Sequence, residues 1–156
     1  MGTLAGVPLG WGLWTAVEYA GHRWAMHGTK RNHPLASEHR RHHAHPEATD
    51  PRLRSLGYAL VALGSFSAGR GIASIVGRRV ASGLSLGLLS GYGSYETLHW
   101  RSHHRVPANG VERWVHARHS EHHVRPGINH GVITSVWDHL AGTEATTSVN
   151  PQLQRR

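Results

Sequence analysis

The 156 residues suffice for one domain or a small membrane unit. The formal charge of +8 suits an anionic partner such as phospholipid headgroups or an acidic redox protein, while no recognisable nucleic-acid recognition element accompanies it. Cysteine is absent, which excludes disulfides, thiolate zinc sites and iron–sulfur ligation, so any metal must be held by nitrogen and oxygen.

Residues 1–17 carry no charge and no basic leader, so they read as a first membrane helix rather than a cleaved signal. The first histidine block follows, with seven of the sixteen histidines between His22 and His45. In HRWAMH, His22 and His27 stand five apart, a spacing that aligns poorly on a regular helix. A helix end or a distortion is needed there, and Gly21 and Gly28 bracket the pair. In EHRRHHAHP, residues 38–46, the i, i+3, i+4 spacing puts His39, His42 and His43 on one helical face.

The middle of the chain, Pro46 to Leu98, has no histidine. Two uncharged stretches, 55–69 and 80–95, predict a helical hairpin over about 54–76 and 79–99 with GRR at its turn. The stretches are shorter than the roughly 20 apolar residues of an ideal span. Arg70, Arg78 and Arg79 are therefore expected near an interface, where a charge costs least. Small residues in SGLSLGLLSGYG, some at GxxxG-like spacing, suit close packing of membrane helices. A soluble bundle is the competing reading, yet a soluble helix of this length carries a charged outer face and these do not.

The second block holds nine histidines, from His99 to His139. His99 and His103 form an i, i+4 pair with His104 adjacent, and His119, His122 and His123 repeat the H-x-x-H-H spacing. Seven Lys/Arg in residues 22–54 and seven in 96–156 put both blocks on the cytoplasmic side. The fold class expected is an all-α, multi-pass cell-membrane protein of about three membrane helices with a cytoplasmic-side, histidine-rich helical region. Residues 1–143 form that domain, and the polar tail 144–156 extends or frays.

Neutral imidazole is a common metal ligand and suits iron, zinc, copper and nickel. Gathering about ten imidazoles without metal leaves clustered charge or unsatisfied ring nitrogens. Ten ligands exceed what one ion takes, so two ions sharing a site is the economical count. Arg40 and Arg41 then turn outward. The isolated His33, His45, His116, His130 and His139 read as solvated or hydrogen-bonded, and Trp24, Trp100, Trp114 and Trp137 as packing or interface residues.

The ordered boxes EYAGHRWAMHG, HRRHH, YETLHWRSHHRVP, RHSEHH and GVITSVWDHLAGT, spanning Glu18 to Thr143, resemble the fatty acid hydroxylase/sterol desaturase superfamily. The likeness is greatest to fatty acid 2-hydroxylase-like members. It implies a dinuclear site ligated by His22, His27, His39, His42, His43, His99, His103, His119, His122 and His123, with His104 next in rank. It implies no catalytic residue beyond these. Glu96 and Asp138 become carboxylates able to take a proton from a ligand's far nitrogen. The implied enzyme is an oxygen-dependent di-iron hydroxylase of a fatty acyl or related lipid. Its cofactors are two iron ions, with zinc as the substitute in isolated protein, and dioxygen. An external electron donor is also implied, here a separate protein because no fused haem domain is present. Its partners are the lipid substrate and the membrane, not nucleic acid. Relatives commonly have four membrane helices where this chain has room for three, which leaves two alternatives open: a reduced substrate chamber, or one completed by an oligomer. His130 and Ala141 stand where relatives carry aromatic residues. A carotenoid or sterol hydroxylase or desaturase, and a non-catalytic metal-binding membrane protein, remain the alternatives.

Overall fold

The computed structural model describes residues 2–28, 33–48 and 50–145. Among these residues the chain is helical and has no strand: α1 Gly2–Ala20, a π-helical segment Gly21–Met26, α2 Pro34–Ala44, α3 Pro51–Val76, α4 Arg78–His104, α5 Gly110–Val124 and α6 Val136–Leu140. The chain divides into two compact units, Met1–Val17 with Thr49–Ser94, and Glu18–Ala48 with Tyr95–Arg156.

The first unit holds the predicted hairpin. Asp50 caps α3 by accepting the Arg52 amide at 2.9 Å, and Pro51 at the first helical position has no amide to leave unpaired. The helix stops at Gly77, whose φ of +83° is open to glycine at no steric cost, and α4 begins at once with Arg78. Alpha-helical geometry then persists to His104, beyond the expected end at 99, so the second hairpin helix itself carries His99, His103 and His104.

Glycines set how closely α1 meets α4. A Cβ on Gly10 would fall 2.2 Å from the Leu84 carbonyl oxygen, and one on Gly87 would fall 2.2 Å from that of Val7. The small-residue stripe thus brings two backbones together, with Trp14 packed edge-on against Tyr92 at 5.1 Å beside it. On the other side of α4, Ser85 Oγ donates to the Ser65 carbonyl of α3 at 2.8 Å.

Of the three expected spans, α3 is the one described helix long and apolar enough to cross a membrane, with a mean hydropathy of 1.5 over its most apolar window. Only 11% of that window is buried, and Leu60, Leu63, Phe66 and Ile75 all lie exposed. The helix therefore presents an exposed apolar face that nothing else among the described residues covers.

The second unit contains both histidine blocks. The predicted distortion after α1 is a π-helical segment, closed by a bond from the His27 amide to the His22 carbonyl at 3.1 Å. An i→i+5 turn brings residues five apart onto one face, which is how His22 and His27 come to act together. Asn109 caps α5 by accepting the Glu112 amide at 2.9 Å, and Glu112 accepts the Ala108 amide at 2.8 Å in return. Glu144 and Ala145, the start of the expected tail, are tied down: Glu144 pairs with Arg118 at 3.0 Å, and the Ala145 amide donates to Asn129 Oδ1 at 3.0 Å. Residues 146–156 lie outside the described residues.

Candidate metal centre

Within the second unit the ten histidines singled out from the sequence fall into two groups of five. His22, His27, His39, His43 and His122 form one; His42, His99, His103, His119 and His123 form the other. In each group one ring nitrogen per residue lies within 4.8 Å of all the rest. The groups adjoin, with the rings of His43 and His123 stacked at 4.2 Å.

Helical geometry explains the division. In each H-x-x-H-H box the i, i+4 pair stays together and the residue between them turns to the other group. Thus His39 and His43 join the group of His22 and His27, while His42 leaves it; His119 and His123 join that of His99 and His103, while His122 leaves it. The two halves of the chain exchange one imidazole each.

The nitrogen contacts test whether metal fits. His39 Nε2 lies 3.0 Å from Nε2 of His22, 2.8 Å from that of His27 and 3.1 Å from that of His43. His119 Nε2 lies 2.8 Å from Nε2 of His103 and 3.0 Å from that of His123. A ring nitrogen has one in-plane lobe, either a proton or a lone pair, so hydrogen bonding cannot serve three such partners at once. His22 Nδ1–H donates to the His130 carbonyl at 2.5 Å and His122 Nδ1–H to the Ile128 carbonyl at 2.7 Å. In the neutral rings both Nε2 atoms are therefore bare lone pairs aimed into the group. A first-row metal at about 2.1 Å from nitrogen sets adjacent donors of an octahedral shell about 3 Å apart, which is the spacing found. The residues fit two cations.

Burial keeps these rings neutral, and neighbouring imidazoles add to it. Desolvation first, then like-charge repulsion, pushes His27 and His42 down to about 4 and His103 and His122 down to about 3. His22 and His119, nearly enclosed, lie well below the ordinary imidazole value. A neutral ring is the form that binds metal.

The other histidines lie outside both groups. His104 stacks on Trp100 at 4.7 Å, and its Nε2 meets the Glu47 carbonyl at 3.2 Å. His33 and His45 are exposed, His116 is half-buried, and His139 pairs with Glu144 at 3.1 Å. Arg41 turns outward to Glu38 and Arg40 to Ser37.

Asp138 requires a correction. It takes no proton from a ligand ring; instead its fully buried carboxylate accepts the amides of His130 and Gly131 at 2.8 Å each, the Thr143 hydroxyl at 2.8 Å and Arg118 at 3.2 Å. Burial pushes its carboxyl up, but these hydrogen bonds outweigh that and hold it below the usual range. What orients His22 and His122 is backbone carbonyl, which no side-chain motif announces. Between the two carbonyl-bearing residues, Ile128 and His130, Asn129 takes a φ of +53°, a left-handed conformation that asparagine tolerates better than most residues.

The model of the fatty acid hydroxylase family matches residues 7–143, a span that includes every residue of both groups. Members of that family are membrane-associated oxidoreductases of the hydroxylase/desaturase type, typically iron-dependent. No curated protein and no solved structure gives a match. With the family pattern covering most of its length, and with two histidine groups that could each hold a metal ion, this chain belongs to the fatty acid hydroxylase family.

Proposed function

We propose that the protein is a membrane-bound, dinuclear-metal oxygenase that hydroxylates a C–H bond of a lipid acyl chain. The observation that carries this reading is the pair of adjoining five-nitrogen groups, with no carboxylate in either, inside a chain of this family. Two irons held there would supply dioxygen activation, which no amino-acid side chain provides. The overall reaction takes R–H, dioxygen, two electrons and two protons to R–OH and water. A separate electron-transfer protein supplies the electrons.

The residues have defined tasks. His22, His27, His39, His43 and His122 hold one ion; His42, His99, His103, His119 and His123 hold the other. The carbonyls of His130 and Ile128 keep the protons of His22 and His122 on Nδ1, leaving Nε2 free to bind. Burial of His22, His39, His119 and His122 excludes bulk water from the inner side of the site. The uncovered apolar face of α3 supports a location in the membrane; α1 and α4 are proposed as its companion spans, and the Lys/Arg residues flanking both histidine blocks support the cytoplasmic side for the histidine region.

The test is production in a host membrane supplied with iron, followed by metal analysis and mass spectrometry of the host lipids. Two ions per chain with a lipid product heavier by one oxygen atom is the expected result. Appearance of a double bond instead would make the enzyme a desaturase. Variable metal loading with no lipid product would make it a metal-binding membrane protein and end the oxygenase reading.

A further inference from the structure

Residues 128–132 form a strap in which consecutive amides each have a partner. The Ile128 amide meets the Arg125 carbonyl at 3.2 Å and the Asn129 amide meets that of Thr143 at 2.8 Å. His130 and Gly131 donate to the two oxygens of Asp138, and Val132 donates to Glu18 Oε1 at 2.6 Å. The Asn129 side chain, itself buried, adds Ala145 as a donor at 3.0 Å. A Cβ at Gly131 would stand 2.2 Å from the Thr134 carbonyl oxygen, so glycine alone fits there.

A strap pinned in this way has one purpose visible in its carbonyls. Those of Ile128 and His130 are the acceptors for His122 and His22, and both rings belong to the same group. The second group has no such support. Among the described residues none of its rings has Nδ1 bound to a carbonyl; each group also holds one ring, His43 in the first and His119 in the second, whose buried Nδ1 has no hydrogen-bond partner, so the two carbonyl contacts are what set the groups apart. One group has the tautomer and orientation of two ligands fixed before metal arrives; the other must order its rings as metal binds.

Resting on the metal-binding reading above, we propose that the two positions are unequal. The group of His22, His27, His39, His43 and His122 fills first and holds its ion longer, and Asp138 and Glu18 are positioning residues for that ion alone. Preorganised ligands bind more tightly because less ordering is left to be done on binding. Loss of an outer partner of a metal-bound histidine weakens binding about 10–100-fold.

The experiment is a calorimetric titration of the full-length, metal-free protein in detergent with cobalt(II), with visible spectra recorded in parallel. Two steps separated by about tenfold or more in affinity are expected. His27→Ala, outside the strap, should remove the tight step and leave the weak one; His103→Ala should do the reverse. Asp138→Asn should weaken the tight step about 10–100-fold and leave the weak step unmoved. Glu18→Leu should act in the same direction, with Glu18→Gln, which keeps an acceptor for Val132, close to the parent. Equal affinities, removal of the tight step by His103→Ala, or parallel weakening of both steps by Asp138→Asn would each overturn the proposal. The two histidine variants decide the matter even if the Asp138 variant fails to fold. A parent protein that takes up no cobalt at all would remove the metal-binding reading itself, a result distinct from two equal steps.

Discussion

His42 and His43 are neighbours in the chain, yet their rings stand 6.1 Å apart at 82° and face different nitrogen groups. Successive positions on an α-helix point about 100° apart, so a doublet can address two points where a single residue addresses one. His122 and His123 do the same on α5, at 6.1 Å and 85°.

Single removal of either member of a doublet should therefore cost one ion, not two. His122→Ala and His43→Ala should each empty the group that contains His22, while His123→Ala and His42→Ala should empty the other. Product formation should fall by at least about 100-fold in all four, since loss of a ligand exceeds loss of its outer partner. Elemental analysis giving close to one metal per chain, with the protein still in the membrane fraction, is the check; full activity in any variant would strike that residue from the ligand set.

Asp138 should matter for stability apart from metal. Its removal leaves Arg118 without one of its two carboxylates and strands the amides of His130 and Gly131 in a buried site. Asp138→Ala is expected to destabilise the metal-free protein by about 3–5 kcal/mol, the cost of breaking a buried pair from one side. Thermal melts in detergent measure it, and a loss under about 1 kcal/mol would show that the strap does not depend on this carboxylate.

The pH response has a defined sign. Histidines whose folded values are pushed down to about 4 or 3 remain neutral when the unfolded chain, near 6.5, has begun to protonate. The unfolded state then binds more protons, so stability rises with pH across that window. Metal-free protein should be most stable above about pH 7 and lose stability steadily as pH falls from about 6.5 toward 4. Melting temperature against pH would show it; a midpoint that rises on acidification would contradict the neutral, buried state of these rings.

Close contact between α1 and α4 gives a fourth test. Gly87→Ala, whose new methyl would meet the Val7 carbonyl oxygen at 2.2 Å, should cost about 1–3 kcal/mol. Gly93→Ala on the same helix has nothing within 4 Å and should be neutral or slightly stabilising. Equal behaviour of the two in detergent melts would count against this packing.

Much of the centre was legible in the chain because helical periodicity is a local property. The i, i+3, i+4 boxes fixed which rings share a face, and the five-residue gap between His22 and His27 correctly called for a distortion, found as the π-helical segment. The exchange of His42 and His122 was not legible. A box spans an arc wide enough to reach two points, and only tertiary placement decides which residue goes to which. The strap was equally hidden, since a backbone carbonyl is present at every residue and becomes an orienting group only when amides around it are held. Asp138 carried a recognisable motif, but its partners are amides at positions 130 and 131, and hydrogen bonds to main chain leave no trace in side-chain patterning.

Because each half lends the other one imidazole, neither can complete a five-nitrogen shell by itself. A nascent chain that ends after His43 still lacks His122, and the later block lacks nothing but the His42 made long before it. Assembly of the centre is thereby deferred until synthesis has passed the last histidine doublet. A fragment interrupted after the first block would hold four imidazoles of one group and only His42 of the other.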